Sequence, residues 1–133
     1  TFAGKPAAGY LIDEAEQTAR KAEMGKVCAG CHTGRWVEGH FAAMDASIAE
    51  ADRMVHAATA LLAAAWKRKR ADKKNPFDEW IERQWTRQWL FYANSVRYAA
   101  AMGGPDYATF KNGWFYLTEN LHKMRDWLAK KGR

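Results

Sequence analysis

The chain has 133 residues, 48% of them apolar and 27% charged, which fits one globular domain and excludes a disordered segment. No run reaches the roughly 18 apolar residues that a membrane span needs. The net charge is +6, and the stretch 67–74 (Lys-Arg-Lys-Arg-Ala-Asp-Lys-Lys) holds +5 of it, so the basic character is one local cluster and nucleic acid is not an expected partner.

In chain order, residues 1–9 are rich in Gly and Ala, with Pro6, and read as an extended arm. A start at Thr1 with no basic-then-apolar leader reads as a processed or partial chain. Asp13 to Lys26 predicts a short helix leading into Cys28-Ala-Gly-Cys31-His32. A long helix follows, with apolar residues at Val37, Phe41, Met44, Ile48, Ala51, Val55, Ala58, Leu62 and Ala65, spaced alternately four and three apart. The basic cluster falls where that helix ends and reads as a solvated cap that offsets the helix dipole, with docking of an acidic partner as the lesser alternative.

Asn75-Pro76 supplies an N-cap and a first helical proline for a second helix, with Asp78 in its first turn. Its seam runs through Ile81, Trp85, Trp89, Tyr92, Val96 and Ala99. Gly103-Gly104 ends it and Pro105 opens a third helix, whose seam is Tyr107, Phe110, Trp114, Leu117, Leu121, Met124 and Leu128. No segment alternates apolar and polar residues as a strand does. The expected fold is all-α: an arm and attachment segment over residues 1–35, then a bundle of three long antiparallel helices over 36–133.

The two cysteines of the chain fall within four residues of each other, so no disulfide joins distant segments. Cys28-Ala-Gly-Cys31-His32 matches covalent c-type haem attachment. The thiols of Cys28 and Cys31 add across the vinyl groups, and His32 falls beneath the iron as proximal ligand. A thioredoxin-like redox pair would need a βαβ setting, and a zinc site would want further ligands at matching spacing; neither pattern is present. The expected cofactor is therefore haem c. His40, His56 and His122 are the remaining imidazoles, taken in that order as a second axial ligand. His40 lies at the opening of the first long helix, His56 one residue off its seam, and His122 among polar positions. A second imidazole gives a low-spin electron-transfer haem, whereas an open position admits a ligand.

Seven Trp, five Tyr and six Phe make 14% aromatics, a heavy load for three helices. Trp85, Trp89, Tyr92, Phe110 and Trp114 sit on seams, so most are expected in the core, with some facing another subunit or a haem edge.

From Cys28 to about Leu128 the chain resembles the C-terminal part of the octahaem hydroxylamine oxidoreductase family, which includes hydrazine dehydrogenases. The residues that carry the likeness are Cys28-Ala-Gly-Cys31-His32 and Arg35-Trp-Val-Glu-Gly-His-Phe41, then Ile81-Glu-Arg-Gln-Trp-Thr-Arg-Gln-Trp-Leu-Phe-Tyr-Ala-Asn-Ser95 and Met102-Gly-Gly-Pro-Asp-Tyr-Ala-Thr-Phe-Lys-Asn-Gly-Trp114. The resemblance implies part of a larger multihaem cytochrome fold, in which long helices build a homotrimer. Tyr107 would bond covalently to the catalytic haem of a neighbouring subunit, and His40 would be an axial ligand. The family carries eight haem motifs and this chain one, so the catalytic haem's own attachment site would lie upstream of Thr1.

Two functions follow as expectations. The first is the C-terminal portion of an enzyme that oxidises hydroxylamine or hydrazine and passes electrons through c-type haems to an acceptor cytochrome; relatives without the cross-link reduce nitrite. The second is a stand-alone monohaem electron carrier. Haem attachment of this type implies the periplasm or an equivalent compartment, such as an anammoxosome.

Overall fold

In a computed structural model, the structure describes residues 12–75, 77–102 and 109–130. The arm at 1–9, Pro76 and the Gly103-Gly104-Pro105 break lie outside them. Every regular element among the described residues is helical: α1 (Glu14–Ala29), α2 (Gly34–Lys67), α3 (Trp80–Thr86), α4 (Ala93–Met102) and α5 (Phe115–Ala129). π-Helical segments at Arg87–Tyr92 and Phe110–Trp114 lead directly into α4 and α5. No helix of the described residues is long and apolar enough to cross a membrane. The chain divides into two compact units, Thr1–Phe41 and Ala42–Arg133.

In the first unit, α1 starts at Asp13, whose carboxylate accepts from the Glu16 backbone N–H at 2.8 Å. Glu14 and Glu16 in the first turn and Lys26 in the last suit the helix dipole. No residue of α1 is buried, and Val37 alone is buried among residues 12–41.

The second unit has a true core. Ala58, Leu62 and Ala65 of α2 meet Ala71, Ile81 of α3 and Met124 and Leu128 of α5, with Trp66, Trp80, Trp85 and Trp127 packed around them. A second cluster joins Ala51, Ala93, Val96 and Leu117. Ala51, Ala58 and Ala65 recur at heptad spacing, and their small side chains let neighbouring helices approach closely. Full burial of Leu62, Ile81 and Leu117 contributes about 1.5–3 kcal/mol each.

The basic cluster follows a defined helix end. Arg70 N–H donates to the Ala65 carbonyl at 3.0 Å and Lys69 N–H to that of Trp66 at 3.1 Å, the Schellman pattern. Lys69 stands where glycine is usual, with φ 54°. Arg70 then leaves the solvated set: its Nη1 donates to the Leu128 carbonyl at 2.7 Å and its guanidinium lies 4.4 Å from the Trp127 ring centre. Part of the charge thus closes α2 onto α5.

The start of the second expected helix shifts. α3 begins at Trp80, and its N-cap is Glu79, not Asn75. The Glu79 N–H donates to Glu82 Oε2 at 3.3 Å, and Glu79 Oε1 accepts from the Asp72 N–H at 3.2 Å. The Glu82 carboxylate three residues ahead returns a bond to the cap, which closes a capping box at Glu79.

The π segments also move the seams. An extra residue in a helical turn rotates everything beyond it by about 100°. Gln88, Gly113 and Asn120 therefore turn inward, while Trp85, Trp89, Tyr92 and Trp114 are half-buried and Phe110 is exposed. The polar residues that enter are satisfied: Asn120 Nδ2 donates to Gln88 Oε1 at 2.8 Å and to the Gln84 carbonyl at 3.0 Å, and Gln88 Nε2 donates to the Leu117 carbonyl at 3.1 Å. Gly113 is required there. A Cβ on it would lie 2.6 Å from the Tyr92 carbonyl oxygen and 2.9 Å from the Val96 nitrogen.

Candidate functional site

The cysteine motif occupies the junction between α1 and α2. Cys28 lies in the last turn of α1, Gly30 caps it, and the next residues continue the curl: Cys31 N–H and His32 N–H both donate to the Cys28 carbonyl, at 3.1 and 2.9 Å. The two sulfurs and the imidazole thus hang from one turn. Thr33 then opens α2, its Oγ1 accepting from Trp36 N–H at 3.3 Å and its carbonyl from Val37 N–H at 3.1 Å.

Both cysteines are free thiols, Cys28 half-buried and Cys31 exposed. Around them stand apolar side chains open to solvent: Met24 is 54% exposed, Val27 73% and Trp36 46%. Two accessible thiols, an adjacent imidazole and an uncovered apolar rim fit a flat macrocycle joined by its edge to the turn. Residues Cys28, Cys31 and His32 would hold it.

Past the motif, three rings stack along the start of α2. The Trp36 indole lies 3.8 Å from the His32 ring centre at an interplanar angle of 15°, and 5.2 Å from the His40 ring centre at 9°. Phe41 meets His40 edge-on at 5.7 Å. The Lys21 ammonium of α1 sits 5.4 Å from the Phe41 ring. Sequence reasoning picked out His32 and His40 but not the indole between them. Part of the signal was available, since positions 36 and 40 lie four residues apart and share a face of α2.

His56 and His122 belong to the second unit and are exposed. Tyr107 lies outside the described residues. The second unit gathers its own titratable group, Asp78, Glu79 and Glu82, whose carboxylate oxygens come within 4.8 Å of one another. Hydrogen bonding to Glu82, and then burial, raises the Glu79 carboxyl to about 7. Glu82 is fully buried and accepts from Trp66 Nε1 at 2.7 Å, so this trio serves the capping of α3 and its packing on α2.

A solved structure described as a "Hypothetical multiheme protein" is similar to this chain over 89% of its length, with 38% sequence identity and a TM-score of 0.79. The chain spans 24% of that protein, about a quarter of its length. No family model and no curated protein matches the sequence.

Proposed function

We propose that this chain is the C-terminal portion of a multihaem c-type cytochrome oxidoreductase of the hydroxylamine oxidoreductase type, carrying one covalent haem c of an electron-transfer chain. The reading is carried by one conjunction: a Cys-Ala-Gly-Cys-His turn that gathers two cysteines and an imidazole, in a chain 38% identical to a structure described as a "Hypothetical multiheme protein". Spanning a quarter of that protein fits a part whose catalytic haem site is completed by other haem-bearing parts of the same enzyme.

Bound at this turn, a haem supplies one-electron transfer. Cys28 and Cys31 would hold it at the end of α1, and His32 would ligate its iron. His40 is assigned to a different iron. His32 and His40 would serve separate irons, since the Trp36 indole stacks against both imidazoles. The resemblance gives Tyr107 the covalent bond to the catalytic haem of a neighbouring subunit, which tunes that haem toward oxidising hydroxylamine or hydrazine.

A homotrimer is supported by the aromatic surface of the second unit. Phe110, Phe115 and Tyr116 are each about half exposed, yet contact one another edge-on, and Tyr116 stacks on Tyr92 at 5.6 Å. A contiguous aromatic surface of this kind marks an interface. Electrons then leave to an acceptor c-type cytochrome in the periplasm or an equivalent compartment.

The test is a denaturing separation of the native material, stained for haem, together with the Tyr107→Phe variant. The proposed enzyme gives a haem-bearing species much heavier than one chain, and Tyr107→Phe abolishes the unusual haem spectrum while leaving the Cys28/Cys31 haem in place. A species of 15.1 kDa carrying a single haem identifies a monohaem carrier instead. A heavy multihaem assembly whose spectrum ignores Tyr107→Phe points to a nitrite-reducing relative.

A further inference from the structure

Metal-bound imidazoles need a second group to stop them turning about the metal–nitrogen bond, and this group is usually a carboxylate, carbonyl or water accepting from the other ring nitrogen. Among the described residues, neither the His32 nor the His40 side chain has such a hydrogen-bond partner. Each has a ring face covered instead. Trp36 lies four residues before His40, one turn of α2 away, and His32 stands in the bend just ahead of that helix, so the indole is flanked by both imidazoles. Its indole is within 15° of the His32 plane and 9° of the His40 plane. The Trp36 backbone N–H is tied to Thr33 Oγ1 at the helix start, and Phe41 meets the His40 ring at 73°.

We infer that Trp36 is a positioning residue for two haem irons, its two faces fixing the ring planes of the axial ligands His32 and His40. This rests on the haem reading above. The plane of an axial imidazole decides which iron orbitals it overlaps, and so affects the g-values of the ferric low-spin state and the reduction potential, one of the means by which a protein tunes a haem from outside its first ligands. Through a shared indole, the orientation of one imidazole constrains the other.

The test uses the full haem-loaded protein with Trp36→Leu and Trp36→Phe. Leucine sustains a helix well but cannot stack; phenylalanine keeps a ring at the position. Haem load is read first, from the mass of the peptide that carries Cys28 and Cys31, and then the ferric low-spin g-values and midpoint potentials. Trp36→Leu keeps its full haem load, moves the g-values of two haems and shifts their potentials, and Trp36→Phe restores most of the wild-type signature. A fully loaded Trp36→Leu protein with unchanged g-values and potentials overturns this inference and leaves the haem reading standing. Loss of haem from both variants also overturns it, because the indole then acts in haem uptake and not in orientation. A wild-type peptide without haem overturns both the haem reading and this inference.

Discussion

Residues 12–41 bury one side chain, Val37, whereas residues 42–130 enclose Ala58, Leu62, Ala65, Ile81, Leu117 and Met124 completely. The first region is held by local devices: the Asp13 cap, helix-surface ion pairs Arg20–Glu16 and Lys26–Glu23, and the ring stack at the start of α2. Exposed pairs of this kind contribute about 0.2–1 kcal/mol each. The second region has layered apolar contacts and satisfied buried amides. The residues of the proposed haem site therefore lie where the chain has least core of its own. Segments of about 40 residues or fewer usually need a metal, cofactor or covalent staple to hold a fold. On the proposed reading, a haem joined at Cys28 and Cys31 would supply that staple and cover Met24 and Val27.

The contrast can be broken most sharply by cutting into each region. Leu62→Ala should lower the stability of the second unit by about 2–5 kcal/mol, read from denaturant unfolding. Val37→Ala should leave that same transition unmoved. Equal losses from the two substitutions would mean that the regions share one core.

Glycine tests the same difference at the next magnitude. Gly113→Ala places a methyl 2.6 Å from the Tyr92 carbonyl oxygen and should cost about 1–3 kcal/mol. In α1, a Cβ on Gly25 meets nothing closer than 3.9 Å, so Gly25→Ala should be tolerated and raise local helix stability by up to about 1 kcal/mol. Thermal melts of the two variants check both signs.

A pH effect should be confined to the second unit. Glu79 is raised from 4.5 to about 7, so between those values the folded chain holds a proton that the unfolded chain has released. The stability Glu79 contributes falls as pH rises through that window and levels off above about 7. Glu79→Gln should flatten the dependence when melting temperatures at pH 5 and pH 8 are compared. A variant that keeps the wild-type slope would assign the effect to another group. The smallest change is Lys69→Gly, which relieves a left-handed residue at the end of α2 and should add about 0.5–1 kcal/mol by denaturant unfolding.

Much of this organisation was legible in the sequence. The seam from Ala51 to Ala65 is the buried face of α2, because one unbroken α-helix keeps its period for 34 residues. The seams of the later helices drifted, because periodicity arguments assume a constant turn. The one hint was the repeated step of four from Ile81 to Trp85 to Trp89, beside the π segment at Arg87–Tyr92. The basic cluster predicts a helix cap, and Lys69 and Arg70 close α2, although the bond from Arg70 to the Leu128 carbonyl depends on tertiary packing that no local pattern encodes. At the site, the spacing of Cys28, Cys31 and His32 predicts one turn bearing all three side chains, and the backbone bonds to the Cys28 carbonyl form that turn. Trp36 escaped notice because an aromatic on a helix start is ordinarily packing, and its role emerges from ring geometry alone.

The central claim is that the region with least core carries a covalent haem. The most direct measurement is the intact mass of the proteolytic peptide containing Cys28, Cys31 and His32, taken from native protein after alkylation under denaturing conditions. The account predicts one haem added through thioether bonds to both sulfurs, with no alkylation of either. Two alkylated cysteines and no added haem would contradict it.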